Sequence, residues 1–500
     1  MTKKMKFLII GGGTAGWISA LYFRKFFPEN SITVIESSEI GILGAGEGTT
    51  PHFIENFLND VDISVNDFIK NTKATIKNGI KFTNWHGDND YYFHPFNDGL
   101  KYSYKENELF AIDYIAKRKN LKDISLSNLC SLQNKITHYH EKSFFSIEGN
   151  YSLHFDARLT ANYLKSIATS RGIHLIDDKV ASSIHNETNF EITHIVLENG
   201  NKIECDFVID CTGFSRKIIG QVFKEEWVNY KDSLPVDRAL PFFISNNTEK
   251  IPPYTEAIAM KYGWVWKIPV QGRYGCGYVF DSDYVSDEEI KKEIVETFGD
   301  VEIPRFFSFK AGYFKNTWVK NCVALGLSSG FIEPLEATSI WVTIASLNIM
   351  LRDCEQGFFG NEQSKVFYNN KIRKLNEQIK DFIQLHYITK RNDSPFWKEY
   401  QTKNKIATSI LEFNKCKNAI EMIEVSKKYF KPFLDVYSVF GGVNIYNQKM
   451  FEEHFESLVK LPENKNYFEK LESFKKELKI HSDFKAIDHY KFLNYINKNF

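Results

Sequence analysis

A short apolar run that breaks into glycines and then resumes with helical period constrains the fold of this chain more than any other feature. KFLIIGGGTAGWISALYFRKFF carries Gly11-x-Gly13-x-x-Gly16 between its two halves, and ITVIESSE follows as a second run containing Glu36. Glycines at this spacing permit a tight turn, close backbone approach to a pyrophosphate and contact between helix and strand. The pattern therefore predicts the strand–helix–strand opening of a dinucleotide-binding fold. Gly11, Gly13, Thr14, Ala15 and Gly16 form the predicted phosphate cradle at the helix start. Glu36 lies where an acid accepts the adenosine ribose hydroxyls, with a solvated strand-end acid as the alternative. The motif by itself leaves FAD and a nicotinamide dinucleotide both open.

Two later segments, CDFVIDCTGF at 205–214 and NCVALGLSSG at 321–330, read as buried strands that end in glycine turns. The fold class is thus α/β, with a discontinuous dinucleotide-binding domain over residues 1–345. A substrate region with a β-sheet is inserted at about 75–160 and 225–310, where alternation and turn residues around WVWKIPVQGRYGCGYVF predict antiparallel strands. Residues 346–500 are read as a mainly helical region that covers the substrate, with Ile372, Leu375, Ile379, Phe382 and Ile383 on one helix face. Lys+Arg and Asp+Glu both number 63, so net charge gives no support for nucleic acid or an anionic membrane as partner. Seven scattered cysteines without C-x-x-C or zinc spacing point to a reducing cytoplasm and no metal. MTKKMKFLIIGGG reads as a first strand rather than a signal peptide, and no transmembrane run is found.

Four other stretches carry chemistry in prospect, each with a plain alternative. GILGAGEGTTP at 41–51 suits either a strap lying flat over a flavin ring or an ordinary surface loop. WVWKIP at 264–269 puts Trp264 and Trp266 on one face of a strand. Core packing is the commoner fate of such a pair, and a wall between substrate and cofactor is the other. FIEPLEATSI at 331–340 places Pro334 in a helix's first turn and Glu336 at its positive end, with amides able to hold an anion. Lys77 stands near Lys73 and Lys81, and nothing in the local composition distinguishes it from a surface lysine.

Taken in order, GGGTAGW, GAGEGTTP, IKFTNW at 80–85, HFDARL at 154–159, DCTGF at 210–214, WVWKIP, FIEPLEAT, DFIQLHY at 381–387 and SPFW at 394–397 resemble segments of the flavin-dependent halogenases of the tryptophan-halogenase family. The resemblance runs over roughly residues 5 to 400. It implies the FAD-binding dinucleotide fold of the flavin monooxygenase type. It also implies FAD supplied as FADH2 by a separate flavin reductase, a halide ion as co-substrate and a small aromatic substrate; a homodimer is left open. Lys77, eight residues before Trp85, and Glu336, the second acid of EPLE, would be catalytic. Amides of Thr338 and Ser339 would bind halide. Ala45, Glu47, Val180, Leu327 and Ile340 would join the glycine loop in contacting FAD, Trp264 and Trp266 would shield the substrate from it, and His94, Pro95 and Phe96 would line the aromatic pocket. In the implied chemistry, hypohalous acid formed beside the flavin is captured by Lys77, as a hydrogen-bonded acid or a haloamine, and delivered to an indole, phenol or related ring.

Two departures from the family pattern carry expectations of their own. Tryptophan-specific members usually have Ser-Thr-Gly after the second glutamate, whereas Ala337, Thr338 and Ser339 stand here. The lost hydroxyl and the added Cβ predict better use of bromide or iodide than of chloride. Beyond residue 400 no convincing counterpart exists for the groups that grip the amino-acid end of free tryptophan; FGGVNIYNQKMFEEHF is only loosely similar. A free indole, a phenol or a larger aromatic therefore stands beside free tryptophan as substrate. A flavin monooxygenase that hydroxylates, and a non-catalytic nucleotide-binding scaffold, are the alternative functions; retention of WVWKIP, Lys77 and Glu336 argues against the first.

Overall fold

A computed structural model describes residues 4–41, 46–87, 90–96, 113, 125–141, 144–147, 150–246, 248–304, 306–353, 361–430, 436–443 and 447–500. The strands Lys6–Ile10 and Ser31–Glu36 pair in parallel around the helix Thr14–Phe26. Phe207–Asp210 and Cys322–Ala324 extend the sheet on one side and His174–Asp177 on the other, all parallel, and Trp318–Val319 closes one edge antiparallel. Parallel strands are covered on both faces, which explains the unbroken apolar runs: Phe7, Leu8, Ile9 and Ile10 are all buried. Lys6–Ile10 neighbours Phe207–Asp210, which in turn neighbours Cys322–Ala324, so the chain leaves the sheet and returns.

The excursions build a seven-stranded sheet in the order Phe307–Ser308, Arg238–Ser245, Arg273–Phe280, Gly263–Val270, Thr255–Met260, Gly79–Thr83, Tyr91–Pro95. Pairing is antiparallel except between Thr255–Met260 and Gly79–Thr83, which run parallel. The expectation of an antiparallel sheet is corrected to a mixed one, because the chain re-enters at 255 beside a strand laid down 175 residues earlier without reversing direction. A small sheet, Gly46–Gly48, Ser152–Asp156 and Thr75–Lys77, lies against it, with Gly46 close to Ile268 and Gly275.

The helix Glu362–Tyr387, 26 residues capped by Asn361, ties these layers together. Its Tyr368 and Ile372 pack in the core around the parallel sheet, while Ile379, Phe382 and Ile383 pack in the core around Trp264 and Trp266. Further helices follow, and the last, His489–Asn499, returns to bury Phe492, Leu493 and Ile496 against the N-terminal half. Among the described residues no helix is long and apolar enough to cross a membrane.

The helix Thr338–Asn348 does not begin where local rules place it. Pro334 caps a short turn, Leu335–Ala337, in which Glu336 (φ 66°) and Ala337 (φ 54°) are both left-handed. Non-glycine residues adopt this region at a cost, which makes two in succession a conformation held by its surroundings. Pro334 is therefore outside the helix, and Glu336 sits in the kink before it.

Candidate active site

The glycine loop has the form a dinucleotide needs. Gly11 has φ 115°, and a Cβ there would strike the Cys211 carbonyl; a Cβ on Gly16 would strike Gly11. Gly13 is different: nothing lies within 4 Å of where its Cβ would be. It begins the helix Thr14–Phe26 with no side-chain cap, so the first amides, with Thr14 and Ala15 among them, face open space suited to a pyrophosphate. Glu36 is not a bare strand-end acid. It reaches across Gly12 and pairs with Lys165. Asp210 organises the neighbouring turn by accepting from the amides of Thr212, Ile218 and Ile219 at 2.9–3.0 Å. The donor set thus fits the dinucleotide cofactor the fold implies.

The other residues expected around the cofactor are more varied. Val180 is buried and its carbonyl accepts from Lys217 Nζ at 2.8 Å. Leu327 lies in the turn Gly326–Ser328, and Ile340 is buried in the first turn of Thr338–Asn348. Ala45 lies outside the described residues. Burial, with Asp156 nearby, pushes the Glu47 carboxyl up to about 7.

Lys77 is 0% exposed. Its Nζ donates to the Thr49 carbonyl at 3.0 Å and stands 5.2 Å from the centre of the Phe96 ring. Burial lowers its pKa to about 7, against the opposing pull of the Glu336 charge. Gly48 leaves room for the ammonium, since a Cβ there would come to 3.2 Å from Nζ. The adjacent His154 is buried and held neutral. Thr75 Oγ1 donates to the Pro269 carbonyl (2.7 Å), so it accepts from His154 Nδ1 (3.1 Å), leaving Nε2 to accept from Thr255 Oγ1 (2.9 Å). Burial first, and then the positive charge of Lys77, hold its pKa well below the usual value.

Pairing brings the HPF triplet to this lysine. Gly79 lies opposite Pro95, where any Cβ would press on the His94 carbonyl, and the Phe96 amide donates to Asn78 O at 3.0 Å. His94 Nδ1 is 2.8 Å from both carboxylate oxygens of Glu336. His386 Nε2 approaches Glu336 Oε1 at 3.1 Å without the alignment of a full hydrogen bond, while its Nδ1 meets Tyr92 Oη at 2.7 Å. Burial would raise the carboxyl's pKa; His94 and His386 outweigh it and hold the group well below the carboxylate range. Glu336 and Lys77 are not within ion-pair distance of each other. Two imidazoles occupy the carboxylate, and its coupling to the lysine is through charge at longer range.

Trp264 and Trp266 are both buried, 6.3 Å apart, in one core. Trp266 lies over Gly277, where a Cβ would overlap its ring. Trp264 Nε1 donates to Glu333 Oε2 at 3.4 Å and Tyr387 Oη donates to the same oxygen at 2.8 Å; burial pushes Glu333 up to about 8. His386, Tyr387, Glu333, His154 and Thr49 were not singled out by sequence. His386 and Tyr387 do lie in DFIQLHY, and Glu333 is the first acid of EPLE, but no local rule marks them.

Fold and site together define an α/β flavoprotein of the flavin monooxygenase type, with a buried lysine and a histidine-bound carboxylate beside the dinucleotide fold. The sequence profile of the tryptophan halogenase family matches residues 6–456, and this chain belongs to that family of flavin-dependent halogenases, which are oxidoreductases. Tryptophan 6-halogenase SttH of Streptomyces toxytricini is 31% identical over 431 residues, 80% of this chain and 81% of that protein. Tryptophan 7-halogenase RebH of Lentzea aerocolonigenes is 31% identical over 428 residues, covering 79% of this chain and 78% of RebH. The solved structure of Tar14, a tryptophan C-6 flavin-dependent halogenase (chlorinase) from taromycin biosynthesis, superposes with a TM-score of 0.87 over 99% of this chain and 100% of its own, at 26% identity.

Proposed function

We propose that this chain halogenates an electron-rich aromatic, an indole or phenol, using FADH2 from a separate reductase, oxygen and a halide, with Lys77 and Glu336 as catalytic residues. The observation that carries this reading is the fully buried Lys77, its pKa lowered to about 7, 5.2 Å from the Phe96 ring centre and coupled to the charge of Glu336. A solvated surface lysine has neither property. When bound, reduced flavin with oxygen supplies the oxidising equivalent that converts halide to hypohalous acid.

The chain's own residues would do the rest. Amides of Thr338 and Ser339, at a helix start with no side-chain cap, would hold the halide. Lys77 ammonium would hydrogen-bond the oxygen of hypohalous acid. As the ring carbon takes the halogen, the O–X bond breaks and the Lys77 proton passes to the departing hydroxide, giving water. Near neutrality the amine is also populated, which would allow the haloamine route. The Glu336 carboxylate, kept ionised by His94 and His386, would stabilise the cationic ring and receive its proton. Trp264 and Trp266 would keep the ring from the cofactor.

Purified protein with a flavin reductase, NADH, FAD, bromide and indole is expected to give bromoindole by mass spectrometry. Hydroxylated indole would support a monooxygenase instead, and no product at all a scaffold. In the same assay with equimolar chloride, bromide and iodide, brominated or iodinated product is expected to exceed chlorinated product, since Ala337 and Ser339 alter the halide's surroundings. Mainly chlorinated product would remove that halide preference while leaving halogenation standing.

A further inference from the structure

Lys77 belongs to an edge strand. Among the described residues Thr75–Lys77 pairs only with Ser152–Asp156 in the small sheet, and on its other side the Ile76 amide meets no described strand. His489 takes that place: the Ile76 N–H donates to His489 Nε2 at 2.9 Å. The ring's other nitrogen, Nδ1, donates to the Ile251 carbonyl at 2.9 Å. Two residues on, the Pro253 carbonyl accepts from the Asn78 amide at 2.7 Å. The residues on both sides of Lys77 are thus tied to one imidazole, Ile76 directly and Asn78 through the 251–253 segment.

The tautomer is dictated by these partners. An amide N–H needs the lone pair on Nε2, so the proton sits on Nδ1, where the Ile251 carbonyl requires it. His489 is fully buried, and burial lowers its pKa to about 4, which keeps the acceptor available at neutral pH. Its own helix is anchored: Asp488 caps it, the His489 amide donates to Asn134 O at 3.0 Å, and Phe492, Leu493 and Ile496 are in the core. A second grip comes from the same helix. Asn497 Nδ2 donates to Gln271 Oε1 (2.7 Å), and Gln271 holds the Ala74 carbonyl through Nε2 (2.8 Å) and the Lys73 carbonyl through its amide (3.1 Å). This helix lies beyond the residues matched by the family profile, which end at 456.

We propose that His489 is a positioning residue for Lys77, holding the strand that carries the lysine through paired bonds to Ile76 and Ile251; this rests on Lys77 being catalytic. Two conservative variants separate its bonds. The amide oxygen of Gln reaches the place of Nε2 and can accept from Ile76. The amide nitrogen of Asn lies near Nδ1, so it can serve Ile251 while leaving Ile76 unpaired.

The test compares full-length His489→Ala, His489→Asn and His489→Gln with the unaltered chain. Folding is checked by circular dichroism and FAD binding, and both halogenation of indole and amide exchange at Ile76 are measured. His489→Asn and His489→Ala are expected to lower kcat by on the order of 10²-fold with KM little changed, as misplacement of a reacting group by about 1 Å does. His489→Gln should recover most of that loss. Exchange at Ile76 should quicken in the Ala and Asn variants and not at Ile9 in the parallel sheet. Unchanged exchange at Ile76 in His489→Asn would sink the clamp, and so would unchanged kcat despite faster exchange. Retained halogenation by Lys77→Ala would instead remove the catalytic reading of the lysine, without touching the exchange result.

Discussion

Lys77→Met is expected to lower halogenation steeply and to stabilise the protein at the same time. Lys77 is wholly buried, its one hydrogen bond among the described residues is to the Thr49 carbonyl, and burial lowers its pKa to about 7. An unfolded lysine titrates near 10.4. Below pH 7 the amine is charged in both states, and the full cost of burying the charge weighs on the fold. Between pH 7 and about 10.4 the unfolded chain binds more protons than the folded one, so stability rises with pH as that cost fades. A shift of this size corresponds to about 5 kcal/mol. Methionine fills a similar volume without charge, leaving only the Thr49 carbonyl short of a donor, at about 1–3 kcal/mol. The gain should therefore be largest at pH 6 and shrink toward pH 10, read as urea midpoints at the two pH values. Halogenation should fall by roughly 10²- to 10⁴-fold, the range for a positioned proton-transfer group, while flavin oxidation continues. A variant less stable than the unaltered chain at pH 6 would show that the buried amine carries no such burden. One that halogenates at close to the unaltered rate would remove Lys77 from the chemistry.

That conflict between stability and activity was not readable from the chain, and the reason is physical. Periodicity and glycine spacing report what the backbone does locally. They fixed the strand–helix–strand opening, the buried strands at 207–210 and 322–324 and the face of Glu362–Tyr387, because each of those patterns has its cause within a few residues. Strand direction has no such signature, so the parallel pairing of Thr255–Met260 with Gly79–Thr83 emerged only in three dimensions. Lys77 was reached by resemblance alone, since burial of a lysine depends on what folds over it. Local helix rules misplaced Pro334 and Glu336 because they assume a regular start. Here Glu336 is drawn into a left-handed kink toward His94, 242 residues away in sequence, and His386 on another helix.

Glu336→Gln is expected to lower halogenation by roughly 10²-fold or more, the scale for losing one preorganised electrostatic contact to a developing charge, and to move the lysine's titration. The carboxylate accepts from His94 Nδ1 through both oxygens and lies 3.1 Å from His386 Nε2. An amide offers one acceptor oxygen and one NH2. An oxygen in the place of Oε1 keeps both imidazoles, and the NH2 in the place of Oε2 then meets His94 Nδ1–H, donor against donor. His94 relieves this by moving its proton to Nε2, so that Nδ1 accepts from the new amide. The substitution thus removes the negative charge and disturbs the imidazole that supported it. Glu336 also raises the pKa of Lys77. Without that charge the lysine should titrate below its present value near 7, so the lysine limb of the kcat profile, measured between pH 5.5 and 9, moves to lower pH. Glu336→Asp, which keeps the charge, should leave the limb nearly in place even where the rate falls. A limb that stays fixed in Glu336→Gln would show that the two groups are not coupled electrostatically. The double variant with Lys77→Met gives a second measure: two groups acting in one step should cost together little more than the worse alone, whereas additive losses would separate their roles.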